Sequence, residues 1–400
     1  MKYVIVLGDG MADESIESLG GKTPLEYANT PVMDAISKKS ELGMVHTIPD
    51  GMKPGSDTAN LSVMGYDPKV YYSGRSPLEA LSIGVPMKDT DIALRCNIVT
   101  LSEEDVPFWK RTIIDHSSSE ISTEECAVLL EAVAKQLANE QFQFYVGTSY
   151  RHCLIWDKGQ VVELTQPHDV LGQVIEQYRP TTEVFAKMME LSYDILVNHP
   201  INIERKKKGL NPANCCWFWG AGTKPMLSSF EEKTGKKGIM ISAVDLLKGI
   251  GVGAGMEVAE VEGATGGLET NYEGKVNAAL DALTNKGFDF AYIHVEAPDE
   301  MGHQGSVERK VKAIEFLDGR VIGPVIEGLE KAGEDFRLLV LPDHPTPIRL
   351  RTHTAQDVPY MLYDSTAPKS ENWNYNEKEA ANTYVRVAKG HTLIDHLFEK

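Results

Sequence analysis

The stretch Leu338-Leu339-Val340-Leu341-Pro342-Asp343-His344 decides the fold. Four consecutive aliphatic residues read as a strand buried on both faces, as in a parallel sheet covered by helices. Ligands of such sheets sit at the carboxyl ends of strands, so Asp343 and His344 stand where a site would be built. Two more stretches repeat the pattern. Ala291-Tyr292-Ile293-His294-Val295 leads into Asp299 and His303, four residues apart and able to share one helical face. Tyr3 to Leu7 is an apolar strand that runs straight into Gly8-Asp9-Gly10, and His353 lies downstream of His344. Taken singly, Asp299 would pass as a helix cap and Asp343 as a turn former. Three aspartates and three histidines grouped in this way point instead to ligands for two divalent cations. Carboxylate and imidazole donors without thiolate suit Mn²⁺, Mg²⁺ or Zn²⁺.

Length and charge narrow the class. A chain of 400 residues exceeds what one simple core holds, so two domains are expected. A formal net charge of −18 argues against nucleic acid or an anionic membrane as partner and leaves room for a small anionic substrate. The short apolar run at the start meets Asp9 at once and does not read as a signal peptide. No apolar stretch approaches the roughly 20 residues that span a bilayer. Five cysteines, an odd number, suit a reducing cytoplasm better than a disulfide framework. The expectation is a soluble cytoplasmic enzyme of unspecified oligomeric state.

Along the chain, strand and helix signals alternate at both ends. The texture between about Val85 and Lys208 differs. Strand-like runs there (Ile92–Thr100, Gln143–Tyr145, Arg151–Trp156, Val161–Leu164) surround one strong helix, Ser122 to Asn139. The basic run from Glu204 to Gly209 reads as a solvated linker. Beyond it come strand Gly238–Ser242, helix Tyr272–Leu283, strand Phe288–Val295, helix Val307–Gly328 and strand Arg337–Leu341. The expected architecture is a doubly wound α/β core from residues 1–85 and 209–400, with a smaller α+β domain inserted over 86–208.

Gly55-Ser56-Asp57-Thr58 places Ser56 at the start of a helix. A lone serine there is most often only a cap. Beside the Asp/His set it becomes a candidate nucleophile, since helix N–H groups receive phosphoryl oxygens and a metal can activate a hydroxyl.

The order Asp9, Ser56, Asp299/His303, Asp343/His344, His353 resembles the alkaline-phosphatase superfamily. Within it, the chain resembles the archaeal-type cofactor-independent phosphoglycerate mutases. The shared stretches are Gly8-Asp9-Gly10-Met11-Ala12-Asp13, Pro54-Gly55-Ser56-Asp57, Leu61 to Pro68, Gly74-Arg75-Ser76-Pro77-Leu78-Glu79-Ala80 and Arg351-Thr352-His353. The resemblance implies an alkaline-phosphatase-like core and two metals beside a nucleophilic Ser56. Asp299, His303 and His353 would hold one ion, and Asp9, Ser56, Asp343 and His344 the other. It implies Mn²⁺ first, with Mg²⁺ or Zn²⁺ as alternates, and no 2,3-bisphosphoglycerate. Lys248, before the glycines of Gly249-Ile250-Gly251-Val252-Gly253, looks like the lysine that steadies the transferring phosphoryl group. In the insert, Arg95, Asn97, Asp115, His116, Arg151 and His152 are the candidates to grip the substrate's phosphate and carboxylate.

Some residues depart from the mutase pattern. Gln304 follows His303 where many mutases carry an acid, Glu296 stands where a lysine is often near, and Ser76 replaces the more usual glycine. These details resemble a subgroup proposed to act as homoserine kinases. The leading expectation is therefore a mutase that interconverts 3-phosphoglycerate and 2-phosphoglycerate through phosphoserine. The alternative is a homoserine kinase-like phosphotransferase, although no complete Walker A motif occurs. A metal-dependent phosphatase ranks third.

Overall fold

The computed structural model describes residues 1–399 and divides into two compact units, Met1–Tyr72 with Met226–Lys400, and Ser73–Pro225. The first unit is built on a mixed eight-stranded sheet. Its order is Arg386–Val387, Ser40–Val45, Val358–Asp364, Phe336–Leu341, Lys2–Gly8, Phe290–Val295, Gly238–Ile241, Glu257–Val258. Only Val358–Asp364 runs against the others. Val4, Val6, Ala291, Ile293, Leu338 and Val340 face the helices Tyr272–Asn285 and Val307–Leu317 in one apolar core. On the opposite face Tyr292 donates to Asn60 of the Ser56–Val63 helix. Helices on both faces explain why these strands read as unbroken apolar runs.

Register sets the site. Leu7 lies opposite Leu341 on one side and His294 on the other, and Gly8 opposite Val295. Three adjacent parallel strands thus end level with one another. The segments that follow, carrying Asp9, Asp299 and Asp343, emerge side by side at their carboxyl ends.

The helix expected over Val307–Gly328 is in three pieces, Val307–Leu317, a π-helical turn Asp318–Ile322 and Gly323–Lys331. The Asp318 carboxylate accepts from the backbone N–H groups of Val32 (3.2 Å) and Met33 (2.7 Å), which caps the helix starting at Pro31.

The second unit is a five-stranded antiparallel sheet in which Ile92–Leu101 pairs with Ile113–Asp115, Arg151–Trp156 and Cys215–Thr223, and Phe142–Thr148 pairs with Arg151–Trp156. Leu94, Cys96 and Ile98 pack on one face against helices Thr123–Leu137 and Glu183–Leu196. Ala93 on the other face packs with Ala80 of helix Arg75–Ser82. This unit is wider than the expected 86–208 insert, because that helix and strand Cys215–Thr223 complete its sheet. The fold class stands as read: a doubly wound α/β unit with a smaller α+β unit inserted in the chain.

Two expectations fail here. Val161–Leu164 is not a strand: Val162 and Leu164 pack on the core, but among the described residues no strand pairs with them. The Glu204–Gly209 run is not a linker, because helix Pro200–Lys207 occupies most of it. Arg205 is buried there, bonding to Glu125 at 2.6 Å and to the Ser118 carbonyl, while Lys206, Lys207 and Lys208 remain exposed.

Candidate active site

Ser56 is the first residue of the Ser56–Val63 helix, and extended Gly55 (φ −177°) takes the capping position. The serine hydroxyl makes no capping bond. Its Oγ lies 3.0 Å from His344 Nε2 instead. The bland reading of Ser56 as a cap is thereby removed, and the half-buried hydroxyl is turned toward the carboxyl ends of the strands.

Asp343 and Asp9 are fixed differently. Asp343 Oδ1 accepts from the N–H groups of Gly10 (3.0 Å) and His344 (2.9 Å), and its Oδ2 from Asn60 Nδ2 (2.9 Å). Asp9 Oδ2 lies 2.7 Å from His294 Nε2, but among the described residues its buried Oδ1 accepts no hydrogen bond. His344 Nε2 stands 3.5 Å from that oxygen and 3.3 Å from Asp343 Oδ2. Burial, and then the charges of Asp343 and Asp299, push the Asp9 carboxyl well above its ordinary value. A positive charge among these carboxylates would reverse that.

The second cluster surrounds Asp299. His353 Nε2 lies 3.3 Å from Asp299 Oδ1, His303 Nε2 lies 3.2 Å from Asp299 Oδ2, and the two imidazole nitrogens are 3.0 Å apart. His303 Nδ1 lies 2.9 Å from the Arg351 carbonyl and donates to it, so its other nitrogen is aimed into the cluster. Donors held about 2.0–2.1 Å from a common tetrahedral ion stand roughly 3.3 Å from one another. The observed spacings fit that geometry. Burial alone would raise Asp299, yet hydrogen bonds with His303 and His353 hold it well below the usual carboxylate range. The bond with Asp299 in turn lifts His303 to about 9. Donor atoms converge in two groups, Asp9/Asp343/His344 and Asp299/His344/His353, so His344 borders both.

Lys248 sits within the Asp245–Gly253 helix and pairs with Glu260 at 3.1 Å. Gly249, Gly251 and Gly253 follow it along the same element. They lie in the helix, and a Cβ on Gly251 would come within 2.9 Å of the Met240 side chain, so close helix–sheet packing accounts for that glycine.

In the second unit, strand alternation sorts the candidates. Arg95, Asn97 and Arg151 share one sheet face. Arg95 pairs with Glu79 at 3.0 Å and lies over the Trp219 ring, and Asn97 accepts from Trp219 Nε1. Arg151 is exposed beside Tyr150, whose ring also contacts His116. His152 points to the other face. There its Nδ1 accepts from Gly147 N–H and its Nε2 meets Cys126 Sγ, leaving neither nitrogen for a ligand. Burial lowers His152 to about 4. Asp115 is also committed: its carboxylate accepts from the N–H groups of Ser117 and Ser119 and from Asn211. It braces the left-handed run Ser118–Glu120.

Several supporting residues carried no sequence signal beyond their place in strands and loops. His294 sits in an apolar strand, Asn60 one turn after Ser56, and Ser242 at the end of Gly238–Ile241. Thr346 donates to Asp299, while buried Lys310 ties Asp13 (2.8 Å) to the Thr346 carbonyl (2.9 Å) and so joins two site loops.

A serine turned toward two clusters of carboxylates and imidazoles on a doubly wound sheet is the equipment of a phosphoryl-transfer enzyme. Residues 37–202 match the family model described as 2,3-bisphosphoglycerate-independent phosphoglycerate mutase. The chain is 45% identical over 405 residues to the protein of that name from Methanosarcina mazei, covering 100% of both chains. Among solved structures, a Pyrococcus horikoshii protein superposes with TM-score 0.82 at 29% identity, covering 99% of this chain and 96% of its own. The cofactor-independent phosphoglycerate mutase of Thermoplasma acidophilum follows at TM-score 0.67 and 27% identity, with 99% of each chain covered. The chain belongs to the 2,3-bisphosphoglycerate-independent phosphoglycerate mutase family.

Proposed function

We propose that this chain interconverts 3-phosphoglycerate and 2-phosphoglycerate through a phosphoserine at Ser56, without added 2,3-bisphosphoglycerate. The observation that carries the reading is the Ser56 hydroxyl, free of any capping role and 3.0 Å from His344. Ser56 Oγ forms a bond to phosphorus as the bond to the 3-oxygen breaks, and that oxygen leaves with a proton. The bond from phosphorus to Ser56 Oγ then breaks as the 2-oxygen of the retained glycerate bonds to phosphorus, and the 2-hydroxyl proton returns to Ser56. Asp299, His303 and His353 would hold one divalent ion, and Asp9, Ser56, Asp343 and His344 the other. Mn²⁺ is the first candidate, with Mg²⁺ or Zn²⁺ as alternates. Bound there, the ions would favour the ionised serine and offset charge on the transferring phosphoryl group.

Arg95, Arg151 and His116 are the groups assigned to the substrate's carboxylate and phosphate, and Lys248 to the transferring group after it exchanges Glu260 for the substrate. Asn97 is a support for Trp219. His152 and Asp115 are withdrawn from this set, since hydrogen bonds inside the second unit occupy both. All five cysteines are unpaired and buried, in keeping with a cytoplasmic setting. Among the described residues no helix is long and apolar enough to cross a membrane. The homoserine kinase-like and phosphatase alternatives gain no support from relatives named as mutases.

The test is ³¹P NMR of the protein with Mn²⁺ and 3-phosphoglycerate. The expected result is a 2-phosphoglycerate resonance growing to equilibrium. Release of inorganic phosphate alone, or turnover only of homoserine with ATP, would overturn the proposal.

A further inference from the structure

A buried chain of three side chains ends on the site. Ser242 stands at the end of strand Gly238–Ile241, whose register puts Ile241 opposite Ile293 and so Ser242 beside His294. Ser242 Oγ accepts the N–H of Val244 at 3.0 Å and lies 3.0 Å from His294 Nδ1. Because Nε2 faces the acceptor-only carboxylate of Asp9, the ring proton sits on Nε2, and Nδ1 accepts the Ser242 hydroxyl proton. Nε2–H in turn donates to Asp9 Oδ2 at 2.7 Å. His294 has no exposed surface, which limits rotation of its ring, and Lys275 Nζ holds its backbone carbonyl at 2.9 Å.

The two aspartates of the Asp9/Asp343/His344 group are thus oriented by different means. Asp343 has three donors distributed over both oxygens, two of them backbone N–H groups. Among the described residues, Asp9 meets a hydrogen-bond donor on Oδ2, and Oδ1 is left buried and without a hydrogen bond. A carboxylate held by one oxygen presents the other in a fixed direction. That is the arrangement by which an outer hydrogen bond sharpens a metal ligand.

We propose that Ser242 and His294 are positioning residues for Asp9, fixing its carboxylate so that Oδ1 is offered to the ion shared with Asp343 and His344. Neither residue touches the reacting atoms. The inference rests on the two-ion reading above, and the experiment separates the two.

Mn²⁺ is titrated into chelator-stripped protein by calorimetry for wild type, His294→Leu, His294→Gln and Ser242→Ala, with near-ultraviolet circular dichroism as the check on folding. Wild type is expected to bind two ions. His294→Leu should keep one at unchanged affinity and bind the other about 10–100-fold more weakly. The amide of His294→Gln can reach Asp9 Oδ2 as Nε2 does, so this variant should recover most of the loss. Ser242→Ala should weaken the same single ion by a smaller factor. If His294→Leu does not fold, Ser242→Ala and His294→Gln decide the question by the same criterion. Two ions bound at wild-type affinity in folded Leu and Ala variants would overturn the positioning role alone. Equal weakening of both ions would also overturn it, since it would report general loosening. A wild type that binds no ion would remove the two-ion reading and this inference with it.

Discussion

Ser56 Oγ and His344 Nε2 lie 3.0 Å apart, although 288 residues separate them in the chain. The contact exists because the Ser56–Val63 helix is tied to the same strand ends from which His344 emerges. Asn60 of that helix bonds Asp343 Oδ2 and receives the Tyr292 hydroxyl. Since Gly55 is the cap, Ser56→Ala should cost only about 0.5–1.5 kcal/mol of unfolding free energy, the worth of its one hydrogen bond to His344. Turnover should fall at least about 1,000-fold, because no other side chain in the site replaces the lost oxygen. Urea denaturation and a 2-phosphoglycerate assay on the same preparation check both halves.

Asp343→Asn tests the carboxylate cluster. The amide fits the site but loses a charge and puts a donor where Asn60 Nδ2 or two backbone N–H groups now donate. At least one ion should be lost, and activity should drop to background at ordinary Mn²⁺ concentrations. Elemental analysis after gel filtration reads the stoichiometry. Full occupancy together with normal turnover would contradict the assignment.

Lys248 offers a sharper contrast. With its ammonium on Glu260 at 3.1 Å, it is either a surface ion pair or a phosphoryl ligand held in reserve. Under the proposed role, Lys248→Met lowers kcat by about 100-fold or more, on the scale of removing one donor from a transition state. Glu260→Gln, which only frees the lysine, should stay within a few-fold of wild type. Equal and small effects from both would reduce Lys248 to a surface pair.

Asp115 gives a prediction in pH. Burial would raise its carboxyl, but hydrogen bonds from Asn211, Ser117 and Ser119 bring it down to about 2. A folded value below the ordinary 3.8 means that this group stabilises the fold above about pH 4 and that the contribution is lost as pH falls toward 2. Wild type should therefore lose more stability between pH 4 and pH 2 than Asp115→Asn. Identical acid profiles for the two proteins would show that the loop does not depend on this carboxylate.

Much of the candidate site was legible because its aspartates follow strands buried on both faces. Such strands write long apolar runs, and Asp9, Asp299 and Asp343 interrupt the chain just beyond them. What was not legible depended on partners distant in sequence. Arg151 and His152 are neighbours in the chain, yet a strand sends them to opposite faces, and the pleat could have warned against assigning both to one substrate. The glycines after Lys248 carried no signal of their own, and Gly251 is explained by the closeness of Met240. The basic run around Arg205 looked solvated because its acceptors, Glu125 and the Ser118 carbonyl, lie some eighty residues upstream. His294 was hidden for the opposite reason: inside an apolar strand, nothing in its immediate sequence shows that a serine and an aspartate meet it.

The central claim is that Ser56 itself carries the phosphoryl group between the two oxygens of glycerate. The most direct measurement is acid quench of the Mn²⁺-loaded enzyme with ³²P-labelled 3-phosphoglycerate, followed by peptide mapping. Acid-stable label is expected on the peptide spanning Gly55 to Thr58, formed and lost at rates compatible with turnover and absent from Ser56→Ala. Label on any other residue, or steady production of 2-phosphoglycerate by the Ser56→Ala protein, would contradict it.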